Sequence, residues 1–513
     1  MLFNSIEYII LLAITVPCYW LARSLKARLV ILLVSSAVFY ASWEPAFLLL
    51  LFGLIIVNFF IVQARERSLK NILLVVVLLN LIILGYYKYT NFFLGMFKDV
   101  YSFFDASISL DKYSLILPLG ISFFVFQLIS YVVDVARGRI RKETSLLRFA
   151  VFIAFFPQLI AGPICRGDQL LPQLRTLQPF RKENLFQGIL MFGVGLFLKV
   201  GIADSLAEYV DIVYSNTQAA TQYSAILATT AFGVQILCDF WGYSTMALGV
   251  ALMFGISIPA NFDLPYISRS LQEFWRRWHI TLSFWLRDYL YFPLGGNRKG
   301  NAKTLRNLVL VMGLGGLWHG ASYNFIIWGL LHGSWLTVER ILTRRVAPSI
   351  FSSPNRIRQI LFAPIGWATT MLVVFTAWVF FRAETLPQST AILTSIFNGS
   401  HTWVSPVDAQ ITMKVLLIFI VTMIPLHWLN SAGLNTNFYK DTHDKHKKRD
   451  THGLTGDGQP WSIAPVALSG SMRLSEGILI LPCTAKVVIS FWLISAALIL
   501  GSGKTVPFIY FQF

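Results

Sequence analysis

Long apolar runs joined by short polar connections dominate the chain. They cover Ile6–Ala22, Leu29–Trp43, Ala46–Val62, Ile72–Tyr87, Leu115–Val135, Leu147–Ile164, Leu185–Ile202, Ala225–Phe240 and Tyr243–Ile258, then Leu305–Trp318, Tyr323–Val338, Leu361–Phe381, Val415–Trp428 and Ile478–Leu500. A helix that crosses a bilayer needs about 20 mostly apolar residues. Several runs fall short of that, so some are broken or re-entrant, and the pattern predicts an all-α polytopic membrane protein of about 11–14 transmembrane or re-entrant helices.

Two stretches interrupt this rhythm. Asn261–Arg306 is dense in Trp, Arg, His, Pro and Gly yet lies between strongly apolar runs. Such a segment is tolerated at membrane depth only if it is buried in protein or lines a cavity. The second, residues 430–475, contains DTHDKHKKRDTHGLTGDGQP and is too polar to cross lipid. It reads as an extramembrane loop inside a single membrane domain that occupies residues 1–513. The chain shows no internal repeat, which argues against an inverted-repeat, proton-coupled secondary transporter, the alternative of another class.

Composition agrees with the pattern. Of 513 residues, 56% are hydrophobic and 13% charged, and the mean hydropathy is +0.62. A soluble domain carries about 25% charge, so this chain has too little polar surface to cover a water-soluble globule. The net charge of +17 does not point to nucleic acid, because the basic residues sit in short loops where they set orientation and meet anionic headgroups. Basic clusters follow the first, third and fifth runs: Arg23/Lys26/Arg28, Arg65/Arg67/Lys70 and Arg137/Arg139/Arg141/Lys142. The turn at Glu44–Pro45 has none. Those loops are expected in the cytoplasm and the N-terminus outside. The first run has no basic segment before it, so it is expected to stay as a helix and not to be cleaved as a signal peptide.

The densest candidate chemistry lies between Asp239 and Gly320: DFWGYS (Asp239–Ser244), NFDLPY (Asn261–Tyr266), LQEFWRRWHITLSFWLRDYLYFPLGGNR (Leu271–Arg298) and GLGGLWHGAS (Gly313–Ser322). His319 follows Gly313, Gly315 and Gly316 near the end of an apolar run, beside Trp318. Glycines allow close helix approach, which suits a narrow passage leading to one polar side chain. Moving an acyl group from a thioester to a hydroxyl needs a base near neutral pH, and His is the usual choice. The alternative is a neutral structural His bonded to a backbone carbonyl. His279 lies in EFWRRWH, where a continuous helix would put Trp275, Trp278 and His279 on one side; the competing reading is an interfacial aromatic and cationic belt. Arg276 and Arg277 are candidates for a donor phosphate or for headgroup anchoring. His332 reads as structural support. Asp239 and Asp288 are expected to orient a His or, more simply, to pair with an Arg such as Arg287, and Tyr243 and Ser244 to line the same cavity.

Other features carry less. Cys18, Cys165, Cys238 and Cys483 lack metal-ligand spacing and read as packing residues. His443, His446 and His452 are interleaved with Lys and Asp, so no metal site is expected. GSGKT (Gly501–Thr505) lacks the first glycine of a P-loop, having Leu498 there. Arg166–Gly167–Asp168 is a coincidence of three letters.

The four central blocks, with FFPQLIAGP (Phe155–Pro163) and the terminal PFIYFQF (Pro507–Phe513), resemble the membrane-bound O-acyltransferases, and within them the membrane subunits of alginate O-acetylation. The resemblance covers nearly the whole chain. It implies an irregular ring of helices around a central funnel or tunnel, with His319 as the catalytic His and His279 as a second polar group in the reaction chamber. It further implies an O-acetyltransferase in the bacterial cytoplasmic (inner) membrane, with acetyl-CoA as cytoplasmic donor and no resident cofactor. Periplasmic acetyltransferase or acyl-relay proteins would be partners, and an extracytoplasmic polysaccharide the final acceptor. Peptidoglycan or cellulose O-acetylation and teichoic-acid D-alanylation are the alternatives within the family. Where related acetyltransferases read DFSGYSD, this chain has Trp241 and Thr245, a departure that bears on cavity size and acyl specificity.

Overall fold

In the computed structural model, which describes residues 1–63, 69–104, 113, 115–345, 356–398, 405, 407–414, 482–500 and 507–509, all regular structure among the described residues is helical. The N-terminal part contributes α1 (Ile6–Leu21), α2 (Leu25–Ala41), α3 (Phe47–Gln63), α4 (Leu69–Phe103), α5 (Ile121–Ala136), α6 (Leu146–Ala154), α7 (Phe156–Leu159) and α8 (Gly167–Leu174). The middle contributes α9 (Lys182–Leu196), a π-helical stretch Phe197–Ala203, α10 (Asp204–Ser215), α11 (Gln222–Met253), α12 (Leu271–Arg277), α13 (Ile280–Leu286) and a second π-helical stretch Arg287–Tyr291. The rest is α14 (Asn301–His319), α15 (Tyr323–Arg345), α16 (Arg356–Arg382), α17 (Leu386–Asn398) and α18 (Cys483–Leu500).

Four of these stretches are long and apolar enough to cross a membrane: Leu73–Ser102, Lys182–Ser215, Gln222–Met253 and Ala363–Arg382. They divide by surroundings. The most apolar window of α11 is 89% buried inside the protein, that of α4 only 17%. Apolar side chains on α4 (Leu74, Val75, Leu78, Ile82) and along one face of α1 (Ile6, Ile10, Ile14) stand exposed. A soluble surface rarely carries apolar patches of this extent; here they face lipid.

α11 is the buried axis, and its packing against α9 depends on glycine. Gly188 faces Gly249, and about two turns on Gly195 faces Gly242. A Cβ on Gly188 would stand 2.5 Å from the Gly249 carbonyl oxygen, and one on Gly195 the same distance from that of Gly242. Among lipid-embedded helices such close backbone approach replaces a hydrophobic driving force with van der Waals contact. The other side of α9 receives α18, where a Cβ added to Gly193 would stand 3.5 Å from the Ser490 backbone.

Several sequence expectations change here. Ala225–Phe240 and Tyr243–Ile258 are one helix, α11, and not two spans. Asp239 does not break it because its carboxylate is satisfied sideways. Lys199 Nζ lies 2.9 Å from Oδ1, and the Ile509 N–H donates to Oδ2 at 2.7 Å. Lys199 also pairs with Asp204 at 2.6 Å, and it projects from the π-helical stretch. The expected span Leu147–Ile164 is broken at Phe155, since Pro157 sits in the first turn of α7 and cannot continue α6. Ile72–Tyr87 is the middle of a helix that runs on to Phe103. The expected span Val415–Trp428, the polar loop 430–475, His443, His446, His452 and Gly501–Thr505 lie outside the described residues.

Loops gather at two ends of the bundle. At one, Arg28 donates to the Gln178 carbonyl, Gln63 to that of Glu143, Arg137 to that of Asp288 and Asn307 to that of Gly296. This end collects the basic connections. Glu143 is clamped there by Arg148 at 2.8 Å and Arg175 at 3.0 Å. Burial pushes its carboxyl up, but hydrogen bonds from Arg148, the Ser145 N–H and Arg175 outweigh that and hold it below the usual carboxylate range. At the opposite end the N-terminal ammonium reaches Ser42 at 2.6 Å, and Arg382 pairs with Asp211 at 2.6 Å.

The glycine pairs give a direct test. Gly195→Leu should push α9 off α11 and destabilise the folded protein by about 1–3 kcal/mol or more. Gly53→Ala, where a Cβ meets nothing within 4 Å, is the control. Unfolding midpoints of both variants in one detergent measure the difference, and equal midpoints would refute the close-approach argument.

Candidate active site

His279 stands where a helix is interrupted. α12 ends at Arg277, Trp278 is extended (φ −101°, ψ 129°), and His279 adopts a left-handed conformation (φ 41°, ψ 55°) as the residue before α13. A non-glycine residue held there costs about 1–3 kcal/mol and persists only if its surroundings over-determine it. The NFD stretch does this. The Ile280 N–H donates to the Asn261 carbonyl at 3.0 Å, and the Asp263 N–H to the Arg277 carbonyl at 3.0 Å. Thr281 Oγ1 donates to Asn261 Oδ1 at 2.6 Å, Asn261 Nδ2 donates to Ser244 Oγ on α11 at 3.2 Å, and the Ile164 N–H donates to Thr281 Oγ1 at 3.0 Å. Thus IAGPI, DFWGYS, NFDLPY and WRRWHIT, distant in sequence, meet to hold one backbone kink.

The kink is the tip of a re-entrant hairpin. α12 begins where Glu339, late in α15, accepts from the Leu271 N–H at 2.6 Å. By Trp275 it has reached the level of His332, earlier in α15. α13 then returns to Asp288, beside Arg137 at the basic end. The first half of the Asn261–Arg306 segment, expected to be buried in protein or to line a cavity, is buried along this course.

His319 is the last residue of α14. The α14–α15 hairpin closes tightly because Gly316 abuts the Phe325 carbonyl and lies 3.1 Å, measured from an added Cβ, from the Gly329 Cα. This carries Trp328 to within 5.0 Å of the His319 ring, and Phe381 of α16 reaches 5.3 Å. Trp318 lies 4.9 Å away on the other side. The His279 and His319 rings are 6.4 Å apart, centroid to centroid. His279 is edge-on to Phe240 at 4.7 Å and 6.0 Å from Trp318. Both imidazoles are buried. Two imidazoles from separate elements therefore face each other inside one aromatic-walled chamber. A nitrogen base there can take the proton of a hydroxyl as it attacks a carbonyl.

The remaining expected residues divide between this chamber and its supports. Trp318 walls the chamber. His332 is one layer out, accepting from Trp275 Nε1 at 3.3 Å and lying 4.8 Å from Trp328. Trp275 and Trp278 do not share a helical face with His279, because α12 stops before Trp278: Trp275 meets Trp328 at 5.6 Å, while Trp278 meets Phe262 at 5.0 Å and Trp378 at 4.9 Å. Tyr243 stacks between Phe3 at 4.3 Å and Phe508 at 4.6 Å. Phe508 in turn lies 5.7 Å from Phe240. Asp239 pairs with Lys199 and not with Arg287. Asp288 pairs with Arg287 at 2.6 Å and Arg166 at 2.7 Å, near the basic end. Arg277 is tied to Glu273 at 2.9 Å and Asp263 at 3.3 Å, and Arg276 sits beside it in the last turn of α12. Among the described residues no three His, Cys, Asp or Glu side chains gather as a metal site.

Three residues that matter here went unassigned in the sequence. Asn261 and Thr281 carry no signal beyond being polar in an apolar neighbourhood. Lys88 does: it is the one charged residue between Lys70 and Lys98 of a long apolar helix, and its Nζ donates to the carbonyls of Trp318 at 2.6 Å and His319 at 3.0 Å.

Comparison with known proteins fits this geometry. The chain is 37% identical over 524 residues, the full length of both proteins, to a probable alginate O-acetylase of Pseudomonas putida. It is 37% identical over 393 residues to a peptidoglycan O-acetyltransferase of Helicobacter pylori, covering 71% of this chain and 72% of that one. It is 31% identical over 281 residues to a teichoic acid D-alanyltransferase of Bacillus subtilis, covering 52% and 67%. Residues 77–375, which run from α4 to α16 and include Lys88, His279, His319 and His332, match the family itself, and the chain belongs to the membrane-bound O-acyltransferases.

Proposed function

We propose that this protein moves an acetyl group from a cytoplasmic thioester donor, acetyl-CoA, toward an extracytoplasmic polysaccharide of the alginate kind. The observation that carries the reading is the pair of buried imidazoles 6.4 Å apart, joined to a likeness along the full length of an alginate O-acetylase. A hydroxyl oxygen attacks the thioester carbonyl, His319 accepts the hydroxyl proton, the carbon–sulfur bond breaks, and the same proton passes from His319 to the leaving sulfur, which departs as the thiol. His279 serves as the second polar group against the reacting carbonyl. The acceptor hydroxyl belongs to the polymer or to a periplasmic relay protein that passes the acetyl group on. Peptidoglycan acetylation is the second reading, favoured by equal identity to the Helicobacter pylori enzyme over a shorter stretch. Mass spectrometry of surface polymers from a deletion strain separates the two.

The basic end of the bundle supports a cytoplasmic assignment for that end and an outside N-terminus, in a bacterial inner membrane. With the native cysteines replaced, Arg67→Cys and Arg139→Cys should resist a membrane-impermeant thiol reagent in intact cells, and Ser5→Cys should react. Labelling at position 67 in sealed cells would reverse the orientation.

Full transfer should need an extracytoplasmic partner. Proteoliposomes holding this protein alone, supplied with acetyl-CoA outside and polymer within, should acetylate polymer far below the cellular rate, and full-rate acetylation by the lone protein would exclude a relay.

His319→Ala should insert normally, because an apolar replacement in a helix at membrane depth does not raise its transfer cost. Removing a general base lowers rate by about 10²–10⁴-fold. Polymer-bound acetate per inserted molecule is the readout. His332→Ala, one layer out, should lose folded protein before it loses turnover per molecule. Near wild-type acetylation by His319→Ala would end its assignment as base and leave His279 as the next candidate.

A further inference from the structure

Lys88 lies in the middle of α4, the helix with the most lipid-exposed window, and charges at membrane depth are costly enough to be kept for a purpose. Its partners are backbone carbonyls, not acids. A helix leaves its last four carbonyls without partners, and at membrane depth no bulk water is available to satisfy them. α14 ends in the chamber, so its last four carbonyls belong to Gly316, Leu317, Trp318 and His319. The Gly320 N–H donates to the first at 3.4 Å, Tyr89 Oη to the second at 2.9 Å, and Lys88 Nζ to the third and fourth. Consecutive residues of α4 thus complete the end of α14.

We infer that Lys88 is a positioning residue for His319, fixing the imidazole by capping the carbonyl end of the helix that carries it. This rests on the reading of His319 as the base. A single neutral donor satisfies one carbonyl; the ammonium satisfies two and also offsets the negative end of the α14 dipole, roughly half an elementary charge. The same cation stands 5.8 Å over the Trp318 ring, and Trp318 is wedged against Phe123 and Phe126 at 5.4 and 5.3 Å. The last turn of α14 is therefore held from the α4 side by a charge and from the α5 side by ring packing. The remainder of α14 is held independently, by the glycine contacts with α15. Loss of Lys88 releases the final turn and leaves the hairpin in place.

The test uses the full chain with its partner proteins in membranes, [¹⁴C]acetyl-CoA as donor probe, and hydrogen exchange of the purified protein. Lys88→Met should raise amide exchange in residues 313–322, leave α9 and α11 unchanged, and lower kcat about 10–100-fold, the scale of an ångström of misplacement, with donor KM unaltered. Lys88→Arg, which keeps a cation able to reach both carbonyls, should restore exchange protection and most of the rate. Lys88→Gln, which keeps one donor without the charge, should fall between, and it decides the matter if Lys88→Met fails to insert. A wild-type rate in Lys88→Met or Lys88→Gln overturns the inference, as does failure of inserted Lys88→Arg to restore the rate, or a rate loss without local exchange. His319→Ala in the same assay keeps the two readings apart: if it acetylates normally the base assignment fails, while the exchange data still judge the cap.

Discussion

Polar groups at membrane depth must be satisfied by the protein itself, and the organisation of this molecule follows from that constraint. A reaction chamber inside a bilayer needs imidazoles, and imidazoles placed at helix ends bring unpaired backbone groups with them. Several of these groups, and the buried acid on α11, have partners supplied from distant parts of the chain. Asn261 pins the kink at His279, α4 completes the end of α14 at His319, and Lys199 with the Ile509 N–H neutralises Asp239 in the centre of α11. Removing one member of such a buried charged pair typically costs about 3–5 kcal/mol. The motifs are therefore coupled: none of the four central blocks is complete without another.

Aromatic packing does the complementary work. Trp285 and Phe126 stack at 3.6 Å, Phe126 and Trp318 at 5.3 Å, and Trp318 touches His319 at 4.9 Å. On the far side Trp328, Trp378 and Phe381 close the wall. Rings of this size bury much area with few rotatable bonds, and they hold the imidazoles with little polar surface: the Trp285 indole N–H donates to the Phe126 carbonyl at 2.9 Å and that of Trp378 to Tyr266 Oη at 3.1 Å. They also exclude water, which would otherwise compete for an activated acyl group.

Much of this was legible in the sequence. Apolar runs and basic loops gave the polytopic helical fold, and the glycine-flanked His319 and the WRRWH block pointed to the two residues that meet in the chamber. The failures have physical causes. Reading EFWRRWH as one helix assumed that local periodicity decides conformation, but the backbone pairing of Asn261–Asp263 with Arg277–Ile280 overrides it. The split between Ala225–Phe240 and Tyr243–Ile258 divided what is one helix, whose interior acid Asp239 is satisfied by a lysine from another stretch. Ending the fourth span at Tyr87 left Lys88 just beyond it. Its actual partners are carbonyls more than two hundred residues away, and such pairings leave no trace in local composition.

Trp241 and Thr245 show the same constraint at work on the central helix. The Thr245 hydroxyl donates to the Trp241 carbonyl within α11 at 2.7 Å, so it is spent on its own helix and brings no further charge to the axis. An acid at that position would require another buried cation, and Lys199 is already shared by Asp204 and Asp239. A neutral Thr keeps the charge balance of α11 closed. The bulk of Trp241, itself buried, then fills space beside the helix that carries Phe240, the ring edge-on to His279. At this depth volume is the variable that can change without demanding a new partner, whereas a new charge cannot be added alone.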